Sequence, residues 1–124
     1  MAQINNCDDA FEQLKTQFNP YSEEFWLMTL NTQLELIRLS LVAKGTLNFC
    51  LVHPRDVFRQ ALSDNAFNLI VAHNHPSLNV QPTLEDLKLT KKLIKISKLI
   101  EIPVVDHLIF TNDSYFSFKK NNLI

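Results

Sequence analysis

The chain has 124 residues, 46% of them hydrophobic, and a formal net charge of −1. This length is enough for one hydrophobic core, so we predict a single domain over residues 1–124. The near-neutral charge argues against general nucleic-acid binding through an overall basic surface. The N-terminus lacks a basic region followed by an apolar run, which argues against a signal peptide. No stretch approaches about 18 consecutive apolar residues, so we expect no membrane span and a cytoplasmic location.

The first part of the chain predicts a helix followed by two strands. Asp8 can cap a short amphipathic helix that ends before Pro20. The continuous apolar and β-prone run over residues 25–30 predicts a central strand. After an intervening turn, partial alternation over residues 34–42 predicts a strand paired with it. Gly45, the only glycine, then predicts a turn or a bulge.

The remainder of the chain alternates between helices and strands. A helix is predicted from Asp56 to about Ser63, and a short buried strand over residues 67–72 follows it. A longer helix is predicted over residues 83–100, and two strands over 104–110 and 115–118 close the chain. The order α-β-β-α-β-α-β-β predicts an α/β fold in which helices cover a mixed sheet.

The most informative motif is a pair of histidines, His73 and His75, followed by a carboxylate at Asp86. Side chains two positions apart on a strand point to the same face, so both imidazoles can reach one ion just beyond the strand over 67–72. Two imidazoles and one carboxylate leave the fourth position of a tetrahedral zinc open to water, which distinguishes a catalytic site from a structural one. The motif therefore predicts a small hydrolase with one Zn²⁺ per chain.

Asp86 also has a purely structural interpretation. The segment from Thr83 to Asp86 matches a helix N-cap with an acidic residue three positions later. Such a cap stabilises a helix by about 1 kcal/mol and needs no metal. The two roles are compatible, because one face of the first helical turn can point towards a metal ion. A cap alone leaves the histidine pair unexplained, so we favour the ligand role.

The spacing of these residues resembles a known motif. The JAMM motif of the MPN/JAB domain normally reads His-x-His-x7-Ser-x2-Asp with a glutamate upstream, and this chain has His73-x-His75-x7-Thr83-x2-Asp86. Four segments resemble the RadC family more narrowly: Gly45-Thr46-Leu47-Asn48, Val52-His53-Pro54-Arg55-Asp56-Val57-Phe58, His73-Asn74-His75-Pro76-Ser77 and Val105-Asp106-His107-Leu108-Ile109. The resemblance extends from about Tyr21 to Ile124. Full-length RadC-like proteins also carry an N-terminal helix-hairpin-helix region that this chain lacks, so we expect only the metal-binding domain.

The resemblance implies a fold, a cofactor and an activity. The fold is cytidine-deaminase-like, with three layers in which a mixed central sheet is flanked by helices. The cofactor is Zn²⁺, held by His73, His75, Asp86 and water. Characterised JAMM relatives are metallopeptidases that often cut isopeptide bonds, so a peptide or protein substrate is implied. Thr83 replaces the motif serine that helps to hold the tetrahedral intermediate, and it keeps the hydroxyl group.

Two neighbouring glutamates are candidates for the catalytic base that accepts a proton from water. The RadC-like pattern Glu-x-Phe-Trp selects Glu23. Other JAMM relatives place the glutamate directly before an apolar residue, which suits Glu24. Neighbours on a strand face opposite ways, so only one of them can face the zinc. We favour Glu23.

Several other polar residues have ordinary structural interpretations. Cys7 and Cys50 belong to no Cys-x-x-Cys pair, so we expect free thiols and a reducing compartment. We expect His53 to make a structural polar contact, and either Asp106 or His107 to support the site or to form a core hydrogen bond. We expect a solvated face on the long helix from five lysines: Lys88, Lys91, Lys92, Lys95 and Lys98.

Two other functions remain open. Zinc deaminases share the implied fold but show His-x-Glu with Pro-Cys-x-x-Cys, whereas Asn74 follows His73 here and the paired cysteines are missing. The other alternative is a non-catalytic RadC-like protein associated with DNA repair or mobile elements. The lysines of the long helix are the local support for nucleic acid as a partner, and such binding would weaken steeply with added salt.

Overall fold

The computed structural model describes residues 1–45 and 51–124, and the order of its helices and strands is the one that the sequence predicts. The elements are α1 (Cys7–Leu14), β1 (Glu24–Leu30), β2 (Leu36–Lys44), α2 (Pro54–Ser63), β3 (Asn68–Asn74), α3 (Leu84–Ile100), β4 (Val104–Phe110) and β5 (Tyr115–Ser117). The predicted mixed α/β class is therefore confirmed. Within the described ranges, no helix has the length and apolar character needed to cross a lipid bilayer.

Within the described residues, the sheet has five strands in the order β2-β1-β3-β4-β5. Strand β1 pairs antiparallel with both β2 and β3, β3 pairs parallel with β4, and β5 is antiparallel to β4. The predicted central position of β1 is confirmed, and all seven of its residues are buried. A strand that is buried on both faces reads as a continuous apolar run, which explains the sequence of this segment.

Helices pack on both faces of the sheet. One face is covered by α1, which contributes Phe11 and Leu14 to a cluster with alternate residues of β1 such as Met28. The other face is covered by α2 and α3, which contribute Val57 and Leu93 to a second cluster. Both clusters draw on β3, and this buried strand leads to the candidate metal ligands.

Several element boundaries differ from the prediction. Asn6, and not Asp8, caps α1, because its side chain accepts a hydrogen bond from the Asp9 amide at 2.9 Å. The helix stops at Leu14, well before Pro20. Helix α2 begins at Pro54, which puts Asp56 in its first turn. Strand β2 runs to Lys44, and two register shifts against β1 interrupt the alternation that the sequence shows only in part.

The prediction for β3 was wrong at its C-terminal end. The strand continues through His73 and Asn74, so only His75 lies beyond it. The reason is that the backbone ladder does not depend on apolar side chains: Asn74 still pairs with Phe110 of β4. The strand therefore ends in two polar residues, and the first of them, His73, reaches the site.

Gly45 follows the last residue of β2 and does not have the positive φ that turns often require of glycine. Its amide instead donates a hydrogen bond of 2.7 Å to the backbone oxygen of Glu23. The rest of the predicted turn, Thr46–Asn48, and Cys50 lie outside the described residues. Cys7 is a free, half-buried thiol, as expected. The five lysines of α3 are all exposed, as predicted for a solvated face.

Candidate metal centre

Four side chains from separate parts of the chain converge at one end of the sheet: Glu23, His73, His75 and Asp86. One potential ligand atom from each lies within 4.8 Å of the others. Nε2 of His73 lies 2.9 Å from Nε2 of His75 and 3.0 Å from Oδ1 of Asp86. Nε2 of His75 lies 3.3 Å from Oδ2 of Asp86. The two imidazoles and the carboxylate therefore face a common point.

The sheet and the N-terminus of α3 bring these residues together. His73 lies near the C-terminal end of β3, opposite Phe25 of the antiparallel β1. Glu23 immediately precedes β1, so the antiparallel register places it beside the histidines. Asp86 lies in the first turn of α3, which follows the loop after β3. Ligands in α/β sheets commonly bind at the carboxyl ends of strands, and this cluster lies there.

Asp86 caps α3 and faces the histidines at the same time. Its Oδ2 accepts a hydrogen bond from the Thr83 amide at 2.8 Å, and the Thr83 hydroxyl accepts one from the Asp86 amide at 3.2 Å. The predicted capping box is therefore confirmed. The same carboxylate contacts both imidazoles, so the two roles considered from the sequence coexist in one side chain. Thr83 is exposed at the edge of the cluster.

The donor set of this cluster fits a divalent metal ion. Nδ1 of His75 lies 2.7 Å from the backbone oxygen of Asn79 and must donate to it, because a carbonyl oxygen only accepts. When the imidazole of His75 is neutral, the lone pair of its Nε2 therefore points at Nε2 of His73 and at the Asp86 carboxylate. Lone pairs on these nitrogen and oxygen atoms repel one another at such distances unless a proton or a metal ion lies between them.

The distances agree with those of a small tetrahedral metal. Zinc bonds of about 2.0–2.1 Å separate neighbouring ligand atoms by roughly 3.3 Å. The three distances among His73, His75 and Asp86 lie between 2.9 and 3.3 Å. Oε1 of Glu23 stands farther away, 3.9 Å from Nε2 of His73, at the edge of the cluster. Two nitrogens and one carboxylate oxygen are a ligand set that zinc accepts.

The pKa values of Glu23, His75 and Asp86 reflect how closely these polar groups are packed. Burial raises the pKa of Glu23, although His73 and His75 oppose the shift. Burial also works against ionised Asp86, but its contacts with both histidines and with the Thr83 amide outweigh burial and hold the pKa of this carboxyl far below its ordinary value. For His75, burial disfavours the charged ring, yet the contacts with Asp86 and Asn79 raise its pKa. The cluster thus favours a positive charge, carried by a proton or a metal ion.

Glu23 and Glu24 face different environments, as alternation along the backbone predicts. Glu23 belongs to the cluster, whereas the Glu24 carboxylate accepts a hydrogen bond of 2.8 Å from the backbone amide of Asn19. The geometry therefore favours Glu23 as the candidate base.

Asn74 holds the loop that carries Glu23. Its side-chain oxygen accepts from the Glu24 amide at 2.8 Å, and its amide group donates to the backbone oxygens of Asn19 and Ser22 at 3.1 and 2.9 Å. We did not predict this role for Asn74. The signal available in the sequence was the position of Asn74 between two candidate ligands. On a strand, such a side chain points to the opposite face.

Three further residues were considered from the sequence. His107 reaches the cluster, because its Nε2 lies 2.8 Å from Nδ1 of His73. Asp106 points away from it and accepts a hydrogen bond from the Ser117 hydroxyl at 2.7 Å. His53 is exposed at the start of α2, where its side chain makes no capping hydrogen bond. Burial of His107 lowers its pKa well below the ordinary value.

Comparisons with known proteins show the family of this chain. A family model described as RadC-like JAB domain matches residues 4–123, so the similarity begins earlier than the predicted start at Tyr21. A UPF0758 protein of Clostridioides difficile is 46% identical over 102 residues, which are 82% of this chain and 43% of that protein. A UPF0758 protein of Protochlamydia amoebophila is 41% identical over 122 residues, covering 98% of this chain and 53% of that protein. For one of Chlorobaculum parvum the identity is 36% over 122 residues, with 98% and 55% covered. The chain spans about half the length of these curated relatives.

Proposed function

The chain belongs to the RadC-like JAB domain family, and on that premise we propose that it is a zinc-dependent hydrolase that cleaves peptide or isopeptide bonds. We further propose the cytidine-deaminase-like three-layer fold that this family implies. The packing of α1 on one face of the sheet, and of α2 and α3 on the other, supports that assignment.

The observation that carries the proposal is the convergence of three acceptors beside a fourth, more distant carboxylate. His73, His75 and Asp86 present lone pairs to one point, and Glu23 stands at the edge of the cluster. A structural zinc site normally has four protein ligands, whereas a catalytic one has three and an open position. Three close ligand atoms, with the Glu23 carboxylate 3.9 Å from Nε2 of His73, match the catalytic pattern.

Each residue of the centre has a distinct proposed task. Zinc, when bound, supplies Lewis acidity that lowers the pKa of water to about 7 and polarises a carbonyl group. His73, His75 and Asp86 hold the ion. Glu23 accepts a proton from the attacking water at its carboxylate and returns it to the leaving amine, and burial tunes this group by raising its pKa. The Thr83 hydroxyl hydrogen is available to donate to the oxyanion, because its oxygen already accepts from the Asp86 amide.

Metal content and cleavage of a peptide library test this function together. Protein purified without added metal is expected to contain about one zinc per chain and to cleave a subset of the peptides. Removal of the zinc with a chelator should abolish cleavage, and stoichiometric zinc should restore it, because the attacking water depends on the metal. A zinc-loaded protein that cleaves no peptide or isopeptide substrate would support the non-catalytic alternative, a RadC-like protein of DNA repair or mobile elements.

Replacing Asn74 with alanine is expected to slow turnover while leaving the zinc bound. The change removes three hydrogen bonds that hold the segment from Asn19 to Glu24 against β3, and so it displaces Glu23. A displacement of about 1 Å can cost about a hundredfold in rate, so we expect kcat to fall tenfold to a hundredfold. The measurement compares kcat and zinc content on a library-derived peptide.

Asn31→Ala is the matched control for this variant. The Asn31 side chain organises the loop at the other end of β1, where its oxygen accepts from the amides of Gln33 and Glu35 at 2.9 Å. This control should lose stability without losing turnover. An Asn74→Ala variant with wild-type kcat would remove the positioning role of Asn74.

A further inference from the structure

A series of hydrogen bonds behind the candidate metal centre links the backbone oxygen of Asp86 to His73 through Thr90 and His107. The Thr90 hydroxyl lies 2.8 Å from the backbone oxygen of Asp86, one turn earlier in α3. The same hydroxyl contacts Nδ1 of His107, and Nε2 of His107 lies 2.8 Å from Nδ1 of His73. On the other side of the His73 ring, at the metal centre, Nε2 lies 3.0 Å from Oδ1 of Asp86.

The chemistry of these groups determines the direction of each hydrogen bond. The backbone oxygen of Asp86 only accepts, so the single proton of the Thr90 hydroxyl is donated to it. The hydroxyl oxygen must then accept the Nδ1 proton of His107. His107 is completely buried, which disfavours a charged ring, and in the neutral ring Nε2 accepts a hydrogen bond from the Nδ1–H of His73. The neutral ring of His73 is left with a lone pair on Nε2, the atom that faces Asp86 and His75.

We propose that His107 and Thr90 are positioning residues that hold His73 in the tautomer able to bind a metal ion. The proposal rests on the metal centre of the proposed function and explains how that centre is kept ready. Metal-binding histidines usually donate their second N–H to a carboxylate, a backbone carbonyl or water. Here the partner is an imidazole, which can donate as well as accept. The Thr90 hydroxyl is therefore needed to set the direction.

Packing holds the two rings in place independently of the protons. His107 stacks on Phe118, with ring centroids 4.5 Å apart and an interplanar angle of 10°. Phe25 stacks on His73 at 6.1 Å and 14° and meets His107 edge-on at 5.9 Å. A register shift between β3 and β4 puts Val71 opposite His107. Loss of the hydroxyl is therefore expected to move protons and to leave the rings where they are.

Thr90→Val tests this proposal because it keeps the shape of the side chain and removes the hydroxyl. His107 can then carry its proton on Nε2 and donate to His73, which moves the His73 proton to the nitrogen that faces the metal. We expect zinc affinity, measured by competition with a chromophoric chelator, to fall about tenfold to a hundredfold. Thr90→Ser keeps the hydroxyl and should bind zinc like the wild type.

Two further measurements separate this effect from a general loss of stability. Ser97→Ala removes another buried hydroxyl from α3, one that donates to the backbone oxygen of Ile94 at 2.8 Å, and it should leave zinc affinity unchanged. Nitrogen NMR of zinc-free protein in mildly alkaline buffer reports which ring nitrogens carry protons. We expect Nδ1 protons on His73 and His107 in the wild type, and Nε2 protons in Thr90→Val.

The outcomes distinguish this inference from the proposed function. A Thr90→Val variant that binds zinc as tightly as the wild type would overturn the inference, as would a Thr90→Ser variant that binds as weakly as Thr90→Val. If the wild type binds no zinc at all, the metal centre itself fails. The NMR measurement still decides the inference in that case, because a wild-type His107 with its proton on Nε2 contradicts the assigned directions of these hydrogen bonds.

Discussion

Replacing Glu23 with glutamine is expected to lower kcat for peptide cleavage by about 10²- to 10⁴-fold, the range that one general base contributes. Glutamine has nearly the same shape, but its amide cannot accept a proton from the attacking water. Zinc content should stay at about one per chain, because Glu23 lies at the edge of the cluster, 3.9 Å from the nearest histidine nitrogen. Steady-state kinetics on a library-derived peptide and elemental analysis of the same sample measure both quantities.

The neighbouring residue provides a matched control for this variant. Glu24→Gln is the same chemical change one position along the chain, at a side chain whose partner is the Asn19 amide. Glutamine retains an oxygen that can accept this hydrogen bond, so kcat should stay within a few-fold of the wild type. If Glu24→Gln abolishes cleavage while Glu23→Gln cleaves normally, the two assignments must be exchanged. Unchanged kcat in both variants would mean that another group accepts the proton.

Local patterns in the sequence were sufficient to predict that His73, His75 and Asp86 converge. His73 and His75 are two positions apart at the end of an apolar run, so the backbone brings both rings to one face. Asp86 follows a helix cap signature, which locates it in the first turn of α3. For Glu23, the residues alone left two candidates, and the resemblance to a RadC-like pattern was needed to choose between them.

The supporting contacts could not be predicted, because they depend on how distant elements pair. Thr90 meets His107 only because α3 packs beside β4, and no local pattern links the two residues. A register shift between β3 and β4 decides that His107, and not Asp106, shares a face with His73. Asn74 likewise acts on a loop far away in the sequence, because the backbone amide of Glu24, from which its side chain accepts, lies 50 positions earlier. Such contacts follow from sheet topology, which sequence periodicity does not encode.

The two roles of Asp86, helix cap and metal ligand, can be separated by one substitution. Asp86→Asn keeps a side-chain oxygen that can accept from the Thr83 amide, so α3 remains capped, but it removes the anionic ligand. Zinc at a hundredfold excess over its Kd stabilises a folded protein by about 2.7 kcal/mol. For a chain of this length that corresponds to a rise in Tm of about 10 °C. We expect this rise in the wild type and its loss in Asp86→Asn at the same zinc concentration.

Thr83→Ala is the complementary variant, because it removes the oxygen that accepts from the Asp86 amide and leaves the carboxylate in place. Its zinc-free stability should fall by about 1 kcal/mol, the usual contribution of an N-cap side chain, while zinc should still raise its Tm. The quantity compared is the shift in Tm caused by zinc within each variant, so differences in zinc-free stability cancel. If Asp86→Asn responds to zinc as strongly as the wild type, Asp86 serves only as a cap, and the ion must be held without it.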